Sequence, residues 1–400
     1  MSIDLVIFPF HDYKKYEKEG FRTRDGHLLQ SFQRIKEVNK ILVINRPVSI
    51  SEMIIKKRDK VIKSGKVIYR QGDFTISQVD EKTFVLDIFV KEVFKPIILK
   101  MRWWNYIFKQ EKIKESINQT LRYLGFHKPV LFFQNPLSVE ISKYIPSKLI
   151  VFDAIDNWTI HPQMKEVHEI AKKGYEYIKT NFDLIFTNSK KLKSFLQNDK
   201  SVPYVIPNGV DPEKFKRNYE VPEDLKNIRR PIIGYAGKIQ QRLDVELLQK
   251  LSINFPDYNI VIIGQLLDKK WFKPLKNIKN IHYLGDKHYR LVPQYVTNFD
   301  ICIIPHNVGK GEVDGDAIKL YEYLAANKPI VTTNIGGVEV FKDYIKIAYD
   351  HDMFLKQIKE VLDEGLLPPN YELPPEHTWD YKAKLIINKI LEKLKQGETE

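Results

Sequence analysis

The segment from 301 to 337 constrains the fold of this chain more than any other stretch. It reads ICIIPHNVGKGEVDGDAIKLYEYLAANKPIVTTNIGG. The pattern predicts an apolar strand over 301–304, a glycine-rich polar loop, a helix over about 317–326 and a second strand over 329–333. Two strands joined through a helix in this way form a βαβ unit, which predicts an α/β fold.

The loop and the helix start of this unit are typical of a phosphate-binding site. The loop contains glycines at 309, 311 and 315. Glycines let the backbone approach a ligand closely, and the helix start at Ala317 offers unpaired N–H groups and the positive end of the helix dipole. Lys319 lies in the first turn, where a cation needs an anionic partner, and Glu322 follows at i+3. We therefore expect Lys319 at the phosphates and Glu322 at the ribose hydroxyls of a nucleotide.

Asp314 and Glu322 are separated by seven residues, and the strand KPIVTT follows them. This arrangement resembles the acidic-x7-Glu signature of GT-B glycosyltransferases, in which a Lys-Pro-apolar strand comes next. The first position of that signature is usually Glu, and here it is Asp314. The variant KLYEYLA, with Lys three residues before the Glu, is similar to the branch that contains teichuronic-acid and xanthan-type glycosyltransferases. The alternative is an ordinary βαβ crossover with a solvated Lys and Glu.

The resemblance implies two Rossmann-like, doubly wound domains that face each other across a cleft. Residues 1–205 are then the acceptor-binding domain, 206–375 the nucleotide-sugar-binding domain, and 376–400 a helix that packs back on the first domain. The segment YVIPNGVDPEKF resembles the PNG-apolar-Asp sequence at the end of the first GT-B domain. A length of 400 residues also suggests two domains.

A second phosphate loop is predicted where the second domain opens. The sequence PIIGYAGKIQQRLDVELLQKL reads as a strand, a Gly-x-x-Gly turn at Gly234 and Gly237, and a helix. Lys238 and Arg242 lie close to this turn. A Gly-x-x-Gly pattern alone is a weak signal for a phosphate loop. Its position at the first strand of a second α/β half strengthens this prediction.

Polar side chains in the first domain follow predicted strands at the edge where open α/β sheets bind ligands. The residues that could hold an acceptor after the first strand are His11, Asp12, Arg22, Arg24 and His27. For each of them alone, a loop residue in solvent is the favoured alternative.

The strand KLIVFDAID is followed by Asp156 and His161, with Asp153 near its end. The resemblance extends to this strand end, because related enzymes carry an aromatic-x-x-x-Asp-Asp pattern there, and the second position is Asn157 here. It implies that Asp156 is the general base of an inverting enzyme. In a retaining enzyme the donor phosphate accepts the proton and His161 only supports the sugar. A capping role for Asp156 is the alternative.

The charge of the chain is unevenly distributed. Residues 1–200 contain 36 Lys and Arg against 23 Asp and Glu, so the whole net charge of +13 lies in the first half. This asymmetry indicates an anionic partner, or else a solvated surface. The basic segment 94–128 contains Trp103, Trp104, Tyr106 and Phe108, a combination that suits a membrane interface. The alternative is a helix that buries these aromatic rings.

Other features indicate a cytoplasmic protein held at the periphery of a membrane. No apolar run reaches the ~18 residues of a membrane span, and residues 1–10 lack the basic start of a signal peptide. Cys302 is the single cysteine, so no internal disulfide forms, and its apolar strand indicates a buried thiol. We therefore expect localisation at the inner face of the plasma membrane.

The predicted function is a glycosyltransferase that moves a sugar from a nucleotide diphosphate sugar to a glycan or lipid-linked acceptor, in cell-surface polysaccharide or glycoprotein glycan synthesis. The motif Asp314-Gly-Asp316 also spells a DxD metal motif, which we interpret as coincidental in a chain with two α/β halves. We expect no metal and no cofactor, with Lys238, Arg242, Lys319 and the helix start stabilising the leaving diphosphate.

Two alternative functions, from other functional classes of protein, remain. A nucleotide-sugar epimerase has the same fold but needs no acceptor. A nucleic-acid-binding protein would use the basic half, yet the chain carries no RRM, helix-turn-helix or zinc signature. The sugar, the acceptor and the stereochemical outcome stay open.

Overall fold

The computed structural model describes residues 1–199, 201–309 and 315–399. Contacts divide these residues into two compact units, which are described one at a time. The first unit contains residues 1–207, Gly315 and the C-terminal residues from Asp380 onward. The second unit contains residues 208–309 and 316–379.

The first unit is built on a largely parallel sheet. Its strands are β1 (Ile3–Phe8), β2 (Val38–Ile44), β3 (Val48–Ser49), β4 (Lys66–Gln71), β5 (Phe74–Gln78), β6 (Thr83–Val90), β7 (Val130–Phe133), β8 (Leu149–Ala154), β9 (Leu184–Thr187) and β10 (Tyr204–Val205). They follow the order β10-β9-β8-β7-β1-β2-β6-β5-β4, with β3 beside the end of β6. The strand order reverses at β1, between β2 and β7, so the crevice beyond the carboxyl ends of these strands is the natural ligand position of this sheet.

Helices cover both faces of this sheet. They are α1 (Tyr13–Glu19), α2 (Arg24–Phe32), α3 (Ile50–Ile55), α4 (Phe94–Leu99), α5 (Arg102–Phe108), α6 (Glu111–Tyr123), α7 (His168–Asn181) and α8 (Lys190–Leu196), with 3-10 turns at Val139–Tyr144 and Pro162–Val167. Ser189 caps α8, because its side chain accepts a hydrogen bond from Leu192 N.

The region 51–92 contributes strands both to the edge and to the interior of the sheet. Strands β4 and β5 are antiparallel additions at the edge. In contrast, β6 pairs in parallel with β2 inside the sheet, and its residues Val85 and Leu86 are fully buried.

The aromatic residues of segment 94–128 lie mostly inside the first unit. Trp103 and Phe108 are 1% and 4% exposed, and Trp104 and Tyr106 pack against the same core. The interpretation that these rings face a membrane interface is therefore wrong, and the alternative of buried rings is correct. The physical reason is that α5 and α6 pack their apolar faces against the sheet. Burying an aromatic ring there is more favourable than leaving it exposed to water.

The second unit is a parallel α/β sheet. Its strands are β11 (Ile232–Ala236), β12 (Asn259–Ile263), β13 (Ile281–Tyr283), β14 (Ile301–Ile304), β15 (Ile330–Thr333) and β16 (Lys346–Ala348). The order is β13-β12-β11-β14-β15-β16, and each neighbouring pair is parallel. The strand order reverses between β11 and β14, which makes the carboxyl ends of these two strands the expected ligand position.

The helices of the second unit are α9 (Pro212–Phe215), α10 (Glu223–Lys226), α11 (Val245–Asn254), α12 (Lys269–Phe272), α13 (Val292–Thr297), α14 (Ile318–Ala325) and α15 (His351–Asp363). Shorter 3-10 turns are Lys273–Leu275, Tyr289–Leu291, Val338–Phe341 and Pro375–His377. The predicted βαβ unit is confirmed: β14, α14 and β15 lie within two residues of their expected bounds.

The last helix, α16 (Trp379–Thr399), belongs from Asp380 onward to the first unit. There Asp380 forms an ion pair with Arg34, just beyond the end of α2. Within the described ranges, no helix combines the length and apolar character needed to cross a bilayer. The predicted α/β class with two parallel-sheet domains is confirmed.

Candidate active site

Two loops of the second unit are hydrogen-bonded to each other at the point where the strand order reverses. One follows β11 and the other follows β14. Asn307 N donates to Arg242 O at 2.7 Å, and Asp244 N donates to Pro305 O at 2.8 Å. These bonds hold the backbone of Arg242 beside the carboxyl end of β14.

Gly237 occupies the first position after β11 because there is no space for a side chain. A Cβ at this residue would come within 2.6 Å of the Tyr235 hydroxyl and 2.9 Å of Cε of Lys319. The glycine therefore lets the stem of Lys319 cross directly beneath the loop. Gly234, by contrast, lies inside β11 and packs against the Phe299 ring, so its predicted place in a turn is wrong.

Lys319 stands in the first turn of α14 and is mostly buried. Its Nζ lies 5.6 Å from the centre of the Tyr235 ring. Among the described residues, none forms a hydrogen bond or an ion pair with this ammonium. The pKa of Lys319 is lowered to about 7, chiefly by burial and in addition by the charges of Arg242 and Lys238, while Glu322 opposes the shift.

Arg242 adds a second cation at this point. Its Nε is buried and, within the described residues, has no hydrogen-bond partner. His306, two residues beyond β14, is 6% exposed, and its Nε2 lies 3.2 Å from the Tyr235 hydroxyl. Burial lowers the pKa of His306 well below its usual range, and the charges of Lys319 and Arg242 act in the same direction. The imidazole is therefore neutral, and the cluster has an excess of positive charge that suits a polyanion.

Glu322 lies one turn after Lys319 and is 5% exposed. The Tyr289 hydroxyl donates a hydrogen bond to Glu322 Oε1 at 2.8 Å. Burial raises the pKa of the Glu322 carboxyl, while this hydrogen bond and the Lys319 charge oppose the increase. Tyr289 was not among the residues predicted from the sequence. His306 was also missed, although its position just after β14 was a usable signal.

Within the described residues the start of α14 is open, because no side chain among them caps this helix at Ala317. The start of α11, in contrast, is capped. In α11, Asp244 accepts a hydrogen bond from Leu247 N at 2.9 Å, and His351 Nε2 lies 2.8 Å from the same carboxylate. An anionic ligand is therefore better placed at the free N–H groups of α14 than at α11.

The segment before α14 is anchored by Asn208. Asn208 N donates to Asp316 Oδ2 at 2.8 Å, and the Asn208 side chain donates to Asp316 O at 2.9 Å. These contacts explain the asparagine of the PNG sequence. Asp314 lies outside the described residues. The described residues contain no group of three or more His, Cys, Asp or Glu arranged to hold a metal ion.

In the first unit, Asp156 follows β8 by two residues and is partly exposed. Its backbone carbonyl accepts a hydrogen bond from the Tyr175 hydroxyl at 2.9 Å. None of the described residues donates a hydrogen bond to its carboxylate. Gly315, which belongs to the same unit, lies beside it: a Cβ at Gly315 would come within 2.9 Å of Asp156 Oδ1. The backbone of Asp156 is thus fixed, and among the described residues its carboxylate has no hydrogen-bond donor.

His161 has a capping position instead of an open one. It is 6% exposed, and its Nδ1 accepts a hydrogen bond from Gln163 N at 3.1 Å. Asn157, at the second position of the Asp-Asp pattern, accepts hydrogen bonds from the Thr159 backbone and hydroxyl. These contacts shape the turn after β8, and a catalytic role of His161 stays a prediction.

Arg24 and Asp153 form a buried ion pair. Both side chains are 0% exposed, and Arg24 Nη2 lies 2.8 Å from Asp153 Oδ1. Arg24 also donates to Ile206 O, and Gln134 donates to Asp153. The expectation that Arg24 holds an acceptor is therefore wrong, because its charge is fully used inside the unit. Removing either partner would leave an uncompensated buried charge.

His11 and Asp25 form a second pair near the end of β1. His11 Nδ1 lies 3.2 Å from Asp25 Oδ2, and Tyr16 donates to the same oxygen at 2.8 Å. Burial alone would raise the pKa of Asp25, yet the charge of His11 and these hydrogen bonds hold it well below its usual range. Asp12 caps α1 by accepting from Lys15 N. Hydrogen bonds and an ion pair within the first unit thus hold the predicted acceptor-side loop in place.

Comparison with known proteins addresses the activity of this arrangement. Residues 221–384 match the family described as Glycosyl transferases group 1. The chain is also 26% identical over 295 residues to the putative teichuronic acid biosynthesis glycosyltransferase TuaH of Bacillus subtilis (strain 168), which covers 69% of this chain and 74% of that protein. Residues 221–384 thus form a group 1 glycosyltransferase domain, and the chain is a glycosyltransferase with a GT-B fold. The resemblance stated from the Asp314 to Glu322 segment is confirmed.

Solved structures show the same GT-B fold. The alpha,alpha-trehalose 6-phosphate synthase of Burkholderia multivorans superposes with a TM-score of 0.64 at 11% identity, covering 100% of this chain and 99% of that one. The putative UDP-N-acetylglucosamine 2-epimerase of Listeria monocytogenes superposes with a TM-score of 0.56 at 11% identity, covering 99% and 98%. At such identities the likeness shows the fold alone, so the group 1 match, not the fold, separates this glycosyltransferase from an epimerase.

Proposed function

We propose that this glycosyltransferase moves a sugar from a nucleotide diphosphate sugar to a glycan or lipid-linked acceptor, in the synthesis of a cell-surface polysaccharide or a glycoprotein glycan. The observation that carries the proposal is the ammonium of Lys319 at the open start of α14, which has no partner among the described residues. The name of the Bacillus subtilis relative supports the polysaccharide branch.

The donor diphosphate would be held by Lys319, Arg242, Lys238 and the N–H groups near Ala317. Charge-assisted hydrogen bonds of this type strengthen as the leaving diphosphate gains charge, so these groups favour the transition state without a metal or another cofactor. Because Gly237 has no side chain, the diphosphate would be able to approach the loop backbone closely. Glu322, held by Tyr289, would accept a hydrogen bond from a ribose hydroxyl of the nucleotide.

The acceptor hydroxyl requires a base if the enzyme inverts configuration, and we assign that role to Asp156. Support comes from its place after β8 and from its available carboxylate. In a retaining enzyme the donor phosphate would take the proton, and His161 would only support the sugar. Asp314, at the first position of the acidic-x7-Glu signature, would be a further residue that binds the donor.

We further propose a cytoplasmic enzyme bound peripherally to the inner face of the plasma membrane. The supporting observation is the excess of Lys and Arg in residues 1–200. Each Lys or Arg close to an anionic membrane surface contributes about 1 kcal/mol to the free energy of binding.

Turnover of radiolabelled nucleotide diphosphate sugars tests this function. The purified protein is incubated with a panel of donors, with and without membrane extract, and with and without EDTA. We expect label to enter an extract-derived product with one donor, in the presence of extract and regardless of EDTA. Conversion of the donor into an isomer without extract would instead indicate an epimerase and contradict the proposal.

Affinity for a nucleoside diphosphate is expected to fall as pH rises above about 7. In the free protein the pKa of Lys319 is about 7, and bound phosphates would raise it. The bound state therefore takes up a proton above pH 7, and Kd should increase by up to about tenfold per pH unit until the pKa of the complex is reached.

Calorimetry between pH 7 and 9 in buffers of different ionisation enthalpy measures this proton uptake. The nucleotide itself is almost fully ionised in this range, since its last phosphate pKa lies near 6. Lys319→Met serves as the control and should show no such slope. An affinity of the wild-type protein that stays constant over this range would contradict the assignment of Lys319 to the phosphates.

A further inference from the structure

Two short helices of the first unit expose a group of large apolar side chains. They belong to α3 and α4, which pack side by side. The exposed fractions are 72% and 64% for Ile54 and Ile55, and 71%, 49% and 68% for Phe94, Ile97 and Ile98. We call these five residues the α3–α4 surface. Single exposed apolar residues are common on proteins, but a cluster of this kind marks an interaction site.

The fold itself places these side chains together. The short strand β3 pairs in parallel with the end of β6, with Val48 opposite Phe89 and Ser49 opposite Val90. The chain therefore leaves both strands in the same direction, into α3 and α4. Ser49 and Glu52 form a capping box that fixes the start of α3, and Pro96 is the residue that α4 buries. Leu99 also packs against the core, whereas the five residues of the α3–α4 surface remain exposed.

Basic residues surround the α3–α4 surface. The segments 50–60 and 91–102 together contain eight Lys and Arg against three Asp and Glu, a net charge of +5. The basic residues are Lys56, Lys57, Arg58, Lys60, Lys91, Lys95, Lys100 and Arg102. Some of these charges have acidic neighbours, for example Lys56 with Glu52 at 3.7 Å and Lys100 with Glu166 at 3.4 Å. Even so, the rim of the surface stays strongly cationic.

We propose that the α3–α4 surface inserts its apolar side chains into an anionic lipid bilayer, with the surrounding Lys and Arg at the lipid phosphates. The inference rests on the proposed function and deepens it by naming the residues that hold the enzyme at a membrane acceptor. A bilayer surface matches both features, because the apolar side chains reach below the headgroups and the cations meet negative charge. A second copy of the chain fits less well, since two cationic rims would face each other.

The test compares vesicle binding of the full chain and of the triple variant Phe94→Ser, Ile97→Ser, Ile98→Ser. Sedimentation is measured with vesicles of phosphatidylcholine alone and of phosphatidylcholine mixed with phosphatidylglycerol. The wild-type protein should bind the anionic vesicles, bind the neutral ones much less, and lose affinity with added salt. The triple variant should bind anionic vesicles at least about tenfold more weakly. Because these side chains are exposed, its melting temperature should stay near that of the wild type.

Matched controls separate this surface from general effects. Ile253→Ser removes an equally exposed isoleucine from α11 and should leave vesicle binding unchanged. The double change Lys57→Glu, Lys91→Glu should weaken binding to anionic vesicles, whereas Lys356→Glu on α15 should not.

Three results would overturn the proposal. These are wild-type affinity of the triple variant, equal binding of the wild-type protein to neutral and anionic vesicles, and a wild-type dimer in solution that the triple variant abolishes. Calorimetry with a nucleoside diphosphate, run on the same samples, shows separately whether the donor site binds. A protein that binds nucleotide but not vesicles thus contradicts only the membrane surface, and the reverse result contradicts only the donor site.

Discussion

Replacement of Lys319 by methionine is expected to weaken nucleoside diphosphate binding by one to two orders of magnitude. The ammonium stands at the open start of α14, beneath Gly237 and near Arg242, and among the described residues it has no hydrogen-bonding partner. A charged hydrogen bond contributes about 1.5 to 3 kcal/mol, which corresponds to the expected loss. Isothermal titration calorimetry with nucleoside diphosphates measures it directly.

The same substitution should not destabilise the free protein. The pKa of Lys319 is lowered to about 7 in the folded chain, below its value in the unfolded chain, so the folded state holds this proton less tightly. The penalty on folding is therefore fully present below about pH 7 and diminishes as pH rises above it. At pH 6 the melting temperature of Lys319→Met should equal or exceed that of the wild type.

Lys328 offers a matched control at the other end of α14. It too is partly buried, and burial lowers its pKa. Lys328→Met should therefore keep wild-type nucleotide affinity. Unchanged affinity in Lys319→Met, or the same loss in both variants, would remove Lys319 from the phosphate site.

Replacement of Asp156 by asparagine is expected to reduce turnover by about 10²- to 10⁴-fold if this residue is the general base. Asparagine keeps the shape of the side chain and removes its basicity. The local fold should persist, because Asp156 is anchored through its backbone carbonyl to Tyr175. The measurement is the initial rate of sugar transfer at saturating donor, together with donor affinity, which should stay at the wild-type value.

Glu169→Gln on α7 is the control for the loss of one carboxylate in the first unit, since this side chain is exposed. It should retain the wild-type rate. If Asp156→Asn lowers turnover by less than about fivefold while donor binding is intact, Asp156 is not the base. A retaining mechanism, in which the donor phosphate takes the proton, would then account for the reaction.

Local patterns predicted the second unit well because the relevant information is local in sequence. Strand β14 lies at the expected residues, and α14 extends over Ile318–Ala325 against an expected 317–326. Lys319 and Glu322 lie at i and i+3, so helix geometry alone places them on one face. The cations at 238 and 242 were expected near the same ligand because both follow the first strand of the domain, the edge at which parallel sheets bind ligands.

Long-range contacts could not be predicted in this way. Tyr289 reaches Glu322 across 33 residues, and Arg24 reaches Asp153 across 129. Nothing in the neighbouring sequence of either residue specifies such a partner. Arg24 therefore resembled an acceptor-binding cation until the fold showed it to be fully buried.

The sequence by itself determined that this protein has an α/β fold with two parallel-sheet domains, because periodicity and glycine positions act over a few residues. The tertiary structure alone decided which apolar residues face outward. Trp103 is 1% exposed and Phe94 is 71% exposed, although both belong to one basic, aromatic segment. The difference arises because burial depends on which helix face meets the sheet, and that is set by packing between elements distant in sequence.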